Sequence, residues 1–320
     1  MTQRKIAVVL LNLGGPDSLE AVEPFLYNLF SDKDIFKIPF GQKFFAKIIA
    51  RKRAPKVIEQ YKQIGGKSPI NEITEAQRSA LENALREENR KCDVFTAMRY
   101  WHPLSEETAW KIKEGDYDKI VLLSLYPHYS AVTVGSSLNE WARKCKTEKE
   151  KQIVIASYHD DENYHRAVNA RIDEALARFE KAEDVFILFS AHGVPESLIK
   201  KGDPYQKQII ESVEMIMHAR GKSNPYAISY QSKVGPVKWI EPSTENKIPE
   251  LAKAGVKNLL VVPISFVSDH IETLYELKIE YGEIAKKHGI DNYEITRGLN
   301  DIPEFINALK NLLIKTKACE

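Results

Sequence analysis

The chain has 320 residues, 43% of them hydrophobic, enough for one large domain or two of ordinary size. Its 46 basic and 45 acidic residues leave a net charge of +1, which offers no global attraction to nucleic acid. Cys92, Cys145 and Cys319 stand far apart with no CxxC pair, which disfavours a disulfide framework or a thiolate metal site and fits a reduced, cytoplasmic setting.

At the N-terminus, Arg4 and Lys5 precede the apolar run Ile6 to Leu11 in the manner of a signal peptide. The run is short, and Asn12-Leu13-Gly14-Gly15-Pro16 follows it instead of a small-residue cleavage site, so a buried first strand fits better. No apolar stretch approaches the roughly 18 residues needed to span a bilayer. Strands are predicted over Lys5–Leu11, Asp93–Ala97, Lys119–Ser124, Gln152–Ala156, Val185–Phe189, Pro225–Tyr230, Asn258–Val262 and Asn292–Ile295. Several are continuously apolar, as in strands covered on both faces. Amphipathic helices are predicted between them, at Asn71–Asn89, Asp161–Phe179, Tyr205–Ala219, Asp269–Lys287 and Ile302–Lys315. This alternation predicts a parallel α/β architecture.

Eight strands divide into four and four, and the halves echo each other. Leu10-Leu11-Asn12-Leu13-Gly14-Gly15-Pro16 is similar to Phe189-Ser190-Ala191-His192-Gly193-Val194-Pro195. Two Rossmann-like halves are expected, each a four-stranded parallel sheet flanked by helices, over residues 1–150 and 151–320. The boundary is set at the charged run Lys144–Lys151, with a C-terminal helix able to pack back on the first half. The competing architecture is a single long doubly wound sheet.

Between Ile35 and Ile58 there are seven basic residues and no acidic one. Phe44, Phe45, Ile48 and Ile49 recur at helical spacing beside Lys43, Lys47 and Arg51. Such a helix suits a membrane surface or an apolar acid, and equally an ordinary packed helix with a solvated basic face. Gly65-Gly66-Lys67-Ser68-Pro69 looks like the end of a phosphate loop, but Tyr61 stands where the first glycine belongs, and no apolar strand precedes it. Arg99-Tyr100-Trp101-His102-Pro103, Tyr126-Pro127-His128-Tyr129-Ser130 and Tyr230-Gln231-Ser232-Lys233 follow apolar runs. Singly they read as loop packing; together they describe an aromatic slot with cationic anchors, suited to a large planar dicarboxylate.

His192 follows an apolar strand and sits between Ala191 and Gly193, whose small size leaves room for a flat ligand. Asp269 and Glu272 admit two readings. They have the spacing of a helix N-cap and its N3 partner, a capping box. They also form, with Glu276, an acidic row on one helix face that a cation or protons in transit would make favourable. Capping leaves the neighbouring His270 unexplained.

Taken together, these motifs resemble the ferrochelatases, which insert Fe²⁺ into a porphyrin. The resemblance runs nearly end to end, through Leu11-Asn12-Leu13-Gly14-Gly15-Pro16, Gln60-Tyr61, Ser68-Pro69-Ile70, Met98-Arg99-Tyr100, Tyr126-Pro127, Gly135-Ser136-Ser137 and Ser190-Ala191-His192-Gly193. It continues through Tyr230-Gln231-Ser232-Lys233-Val234-Gly235-Pro236 with Trp239, and Ser268-Asp269-His270-Ile271-Glu272-Thr273-Leu274. It implies chelatase-type halves facing a porphyrin cleft. It implies that His192 and Glu272 are the catalytic pair and the iron site, with Asp269, His270 and Glu276 as a supporting proton or metal path. It further implies that Leu13, Tyr61, Ser68, Arg99, Tyr100, Tyr126, Ser130, Lys233 and Trp239 line the porphyrin.

The implied substrates are protoporphyrin IX and Fe²⁺, with no permanently bound cofactor. No iron–sulfur cluster is expected, because the cysteine-bearing extension of the animal enzymes has no counterpart here. No nucleic acid is expected. Peripheral membrane contact on the inner face is expected, as is transient contact with the preceding or following protein of the haem pathway. The chemistry agrees: a flat ring must bend before iron enters, a base must take the pyrrole protons, and Fe²⁺ must trade water for nitrogen and oxygen ligands. The alternatives are a cobalt or nickel chelatase on another tetrapyrrole, which needs more cations around the slot, and a non-catalytic haem carrier, which needs no acidic row.

Overall fold

A computed structural model describes residues 5–36, 40–147, 149–221, 223–233, 235 and 237–318. The chain divides into two compact units, one running to Ser157 and resuming at Phe305, the other spanning Tyr158–Glu304.

The first unit holds a four-stranded parallel sheet of β1 (Ile6–Asn12), β2 (Cys92–Met98), β3 (Lys119–Ser124) and β4 (Gln152–Ile155), in the order β2-β1-β3-β4. Every residue of β1 is buried, as expected of a central strand flanked by helices. Ala7, Val9 and Leu11 on one face pack with Ile120 and Leu122 of β3 and with Ala109, Ile112 and Trp141 of helices 105–115 and 136–144.

The second unit repeats the plan with β5 (Phe186–His192), β6 (Tyr226–Gln231), β7 (Asn258–Pro263) and β8 (Asn292–Ile295), in the order β6-β5-β7-β8. Leu188, Leu259 and Val261 pack with Ile248, Leu251, Leu277, Tyr281 and Ala285.

In each sheet the chain starts at the centre, steps to one side, then crosses to the other. The loops leaving the carboxyl ends of the two inner strands therefore diverge, and that switch point is where open α/β sheets bind ligands. In the second unit it lies between the ends of β5 and β7, where Ser190 is level with Pro263.

Two expectations are corrected. The boundary at residue 150 would strip β4 from its sheet. β4 pairs with β3, Ile120 level with Gln152, so the charged run 144–151 is a surface connection within the first unit. The segment from 305 onward groups with that unit, as the expectation of a C-terminal helix able to pack back on the first half allowed. The predicted helix Asp269–Lys287 is not uniformly α-helical. Residues Glu272–Glu280 form a π-helix, closed by the N–H of Tyr281 donating to the carbonyl of Glu276, followed by an α-helix over Tyr281–Lys287. Wide turns of this kind collect at functional sites.

Candidate active site

His192 ends β5 level with Gln231 on β6. Its N–H donates to Ser265 Oγ at 2.9 Å, and its carbonyl accepts from the Tyr205 hydroxyl at 2.9 Å, so the backbone is held by both flanking loops. Gly193 is small for a structural reason: a Cβ there would lie 2.9 Å from the Gln231 carbonyl oxygen and 3.2 Å from the Trp239 ring. The Nδ1 of His192 is buried and has no hydrogen-bond partner among the described residues. A buried polar atom left unpaired costs about 1–3 kcal/mol, which a substrate group can recover.

The ring of Phe266, just after β7, has its centroid 6.1 Å from that of His192 and 4.3 Å from that of His270, so one aromatic abuts both imidazoles. His270 donates Nδ1–H to the Ser268 carbonyl at 3.0 Å and presents Nε2 to Glu272 Oε2 at 2.9 Å. With Nδ1–H committed, the carboxylate contact is favourable only if Nε2 also carries a proton. Burial opposes that charge, yet Glu272, the Ser268 carbonyl and Asp269 together raise the pKa of His270 above its ordinary value. Burial likewise opposes an ionised Glu272, but His270, with His192 nearby, holds its carboxyl well below the usual range.

The three carboxylates of the predicted row do different jobs. Asp269 precedes the helix and accepts from the Gly298 N–H, Thr273 Oγ1 and Asn300 Nδ2 at 2.8–3.0 Å. Its own N–H donates to Asn300 Oδ1, so no capping box with Glu272 forms. Asp269 ties down the loop at 298–300 and is spent there, which removes it from a shared acidic face. Glu276 accepts from the N–H and hydroxyl of Ser232, from Gln231 Nε2 and from the Tyr281 hydroxyl. Lys233 pairs with Glu241 at 2.6 Å on the surface, and half-buried Trp239 bridges to Pro195.

In the first unit, Leu13 and Tyr126 are half-buried where the chain leaves β1 and β3. Tyr61, Ser68, Tyr100 and Ser130, also expected to line the porphyrin, are buried in that unit. The Ser68 N–H donates to the Pro16 carbonyl at 2.8 Å, and Ser68 fills the space beside Gly15. Ser130 Oγ accepts from the Val132 N–H and caps a second π-turn, Ala131–Gly135.

Arg99 and Tyr100 converge on Asp32, which sequence reading missed. Its carboxylate takes Arg99 Nη2 at 2.8 Å, the Tyr100 hydroxyl at 2.6 Å and the Ser136 hydroxyl. An acidic residue just after the apolar helix 22–30, ahead of a wholly basic stretch, was the available signal. Arg99 is therefore committed within the fold and is not a free anchor.

Among the described residues, no group of three or more His, Cys, Asp or Glu side chains could hold a metal ion, and none of the helices is long and apolar enough to cross a membrane. Cys92 and Cys145 are buried and outside any disulfide; Cys319 lies beyond the described residues.

Asp32→Ala leaves the Arg99 guanidinium, only 11% exposed, without its counter-charge. A loss of roughly 3–5 kcal/mol in denaturant unfolding is expected; a loss below about 1 kcal/mol would contradict the buried pair.

The His270–Glu272 pair gives stability a pH window. Depressed Glu272 contributes fully above its ordinary 4.5 and loses this as pH falls through its lower value. Raised His270 contributes fully below its ordinary 6.5 and loses this as pH rises through its higher value. Both contributions are whole between pH 4.5 and 6.5. In an NMR titration His270 should titrate above 6.5 and, in Glu272→Gln, lower than in the unaltered protein, because burial is then opposed only by the Ser268 carbonyl and Asp269. The same midpoint in both proteins would contradict the ion pair.

The ferrochelatase family profile matches residues 5–317. The chain is 51% identical over 320 residues to a ferrochelatase of Geotalea uraniireducens, covering 99% of each chain. It is 46% identical to one of Picosynechococcus sp., covering 97% of this chain and 82% of that protein. Among solved structures it is similar to SirB from Bacillus subtilis with Fe³⁺, at TM-score 0.53 and 13% identity, covering 98% of this chain and 96% of that one. It is also similar to CbiX, the terminal enzyme for biosynthesis of sirohaem in denitrifying bacteria, at TM-score 0.52 and 12% identity, covering 98% and 99%. Those two likenesses bear on the fold alone. Profile and relatives agree along the whole length, and the chain belongs to the ferrochelatase family, the enzymes that insert ferrous iron into protoporphyrin to make haem.

Proposed function

We propose that His192 and Glu272 carry the iron insertion. The observation that supports this most is the buried, partnerless Nδ1 of His192 beside an ionised Glu272 at the switch point of a parallel sheet. Insertion releases two pyrrole protons for each Fe²⁺ taken up. His192 accepts a pyrrole proton, work suited to an imidazole near neutral pH. Glu272, kept anionic by His270, supplies the negative charge and an oxygen donor that draw Fe²⁺ out of water. Phe266 keeps the two imidazoles apart, so that His192 stays available while His270 remains paired. Trp239 and Lys233 flank this edge as an apolar wall and a carboxylate anchor, and in the first unit Leu13 and Tyr126 are half-buried members of the porphyrin set.

His192→Ala is expected to lower iron insertion by two to four orders of magnitude, the range typical of a lost general base. Porphyrin binding, followed by fluorescence without iron, should persist. Turnover within tenfold of the unaltered protein would overturn the assignment, and loss of the folded circular dichroism spectrum would mark His192 as structural.

We further propose that helix Gln42–Gln63 meets a lipid surface. It packs on helix 22–30, and its buried side is the alanine row Ala46, Ala50, Ala54. Phe44 and Ile48 point outward at 67% and 49% exposure, with Phe40 at 88% just before the helix. Lys43, Lys47 and Arg51 stand beside them, exposed. This favours a membrane over the plain packed helix, whose aromatic residues would be turned inward. Each cation is worth about 1 kcal/mol near an anionic leaflet. Flotation with anionic liposomes at low salt should recover the protein, and neutral liposomes or high salt should not. Equal, negligible recovery from both would remove the membrane contact and leave the catalytic reading untouched.

A further inference from the structure

We infer that Glu276 is a positioning residue, a latch that fastens the end of β6 to the π-helix and so sets Ser232 and Lys233, and not a station on a proton or metal path. The inference rests on the reading that the porphyrin occupies this edge of the second sheet.

The first argument is occupancy. A carboxylate has about four lone-pair sites. Glu276 Oε1 takes the Ser232 N–H and the Tyr281 hydroxyl, each at 2.9 Å. Oε2 takes the Ser232 hydroxyl and, at 3.3 Å, Gln231 Nε2. All four sites are used by donors of the chain itself, from β6, the turn after it and the start of the α-helix that follows the π-helix. A conduit needs an acceptor that can be vacated; this one is filled from two sides.

The second argument is conformation. Ser232 has φ +65°, a region that residues other than glycine rarely adopt. Such a residue persists where its surroundings over-determine it. Here Glu276 grips both the N–H and the hydroxyl of that one residue. Lys233 follows at once, and its ammonium, now on Glu241, is placed for exchange onto a substrate carboxylate.

The third argument is what the latch is anchored to. Gln231 is buried and accepts from Ser190 Oγ at 2.9 Å, while Ser190 and Ser229 both bond Thr244 at 2.8–2.9 Å. The Gln231 amide also donates to the carbonyl of Glu272 at 3.4 Å. The backbone of Glu272 and the side chain of Glu276 thus share one footing in the sheet.

Glu276→Gln keeps the Oε1 acceptor and removes the charge; Glu276→Ala removes the latch. Porphyrin affinity, read from fluorescence of the iron-free complex, is independent of the His192 chemistry. Glu276→Ala should weaken it about tenfold, the equivalent of 1.4 kcal/mol, and raise KM accordingly with kcat within about threefold. Glu276→Gln should stay within about threefold on both measures. Ser232→Ala, which removes one donor and leaves the backbone contact, should weaken porphyrin binding about threefold and serves if Glu276→Ala fails to fold. Unchanged affinity in Glu276→Ala, or in Ser232→Ala where that variant stands in, overturns the latch. A tenfold loss of kcat in Glu276→Gln with porphyrin affinity intact also overturns it and makes Glu276 a conduit.

Discussion

A carboxylate kept ionised away from water must have a positive charge beside it, and the carboxyl edge of the second sheet is built around that demand. Glu272 is held as an anion by His270, and His270 is oriented by the carbonyl of Ser268. Ser268 in turn begins a segment secured by Asp269 through Gly298 and Asn300. Removing one charge from such a pair costs more than removing both. With Glu272 and His270 paired as opposite charges at 2.9 Å, His192 is the imidazole of the two left with an unpaired buried nitrogen. The two histidines thus differ: one is committed on both ring nitrogens, and the other keeps an uncommitted one.

The π-helix follows from the same demand. In an α-helix each carbonyl receives the fourth N–H along, whereas here the Glu276 carbonyl receives the fifth, that of Tyr281. The wider turn lets Glu272 face His270 while Glu276 reaches across to Ser232. The shorter π-turn Ala131–Gly135 stands at the corresponding point of the first unit, after its third strand, where Ser130 caps it. Both units therefore use the same strand order and the same local widening. Their chemistry differs: the first unit buries Asp32 against Arg99, Tyr100 and Ser136 as a structural node. The second places a half-buried acid and a half-buried imidazole at its edge.

This division explains why residues resembling one another in the sequence have different fates. Arg99 and Lys233 both read as cations waiting for a propionate. Arg99 is consumed by a buried carboxylate, whose desolvation cost only a fixed partner can offset. Lys233 pairs with Glu241 in solvent, where an ion pair is worth little and is readily exchanged. Likewise Asp269 and Glu276 are saturated by donors of the chain, and only Glu272 of the three faces an imidazolium.

All eight strands were legible in the sequence, the inner ones most directly, because a central parallel strand must be apolar throughout and its length bounds it. His192 was legible too, as a histidine at the end of such a strand, and the family could be read from motifs in order along the whole chain. Local pattern also predicted a basic helix between Ile35 and Ile58, but only packing revealed that its alanine row turns inward and its phenylalanines outward. The side-chain partners of the Asp32 carboxylate lie 67 to 104 positions away, and those of Glu276 include residues 44 and 45 positions away. Hydrogen bonds over such distances leave no periodicity in a sequence, so which carboxylates are saturated by the chain and which one faces an imidazole was decided by the tertiary fold alone.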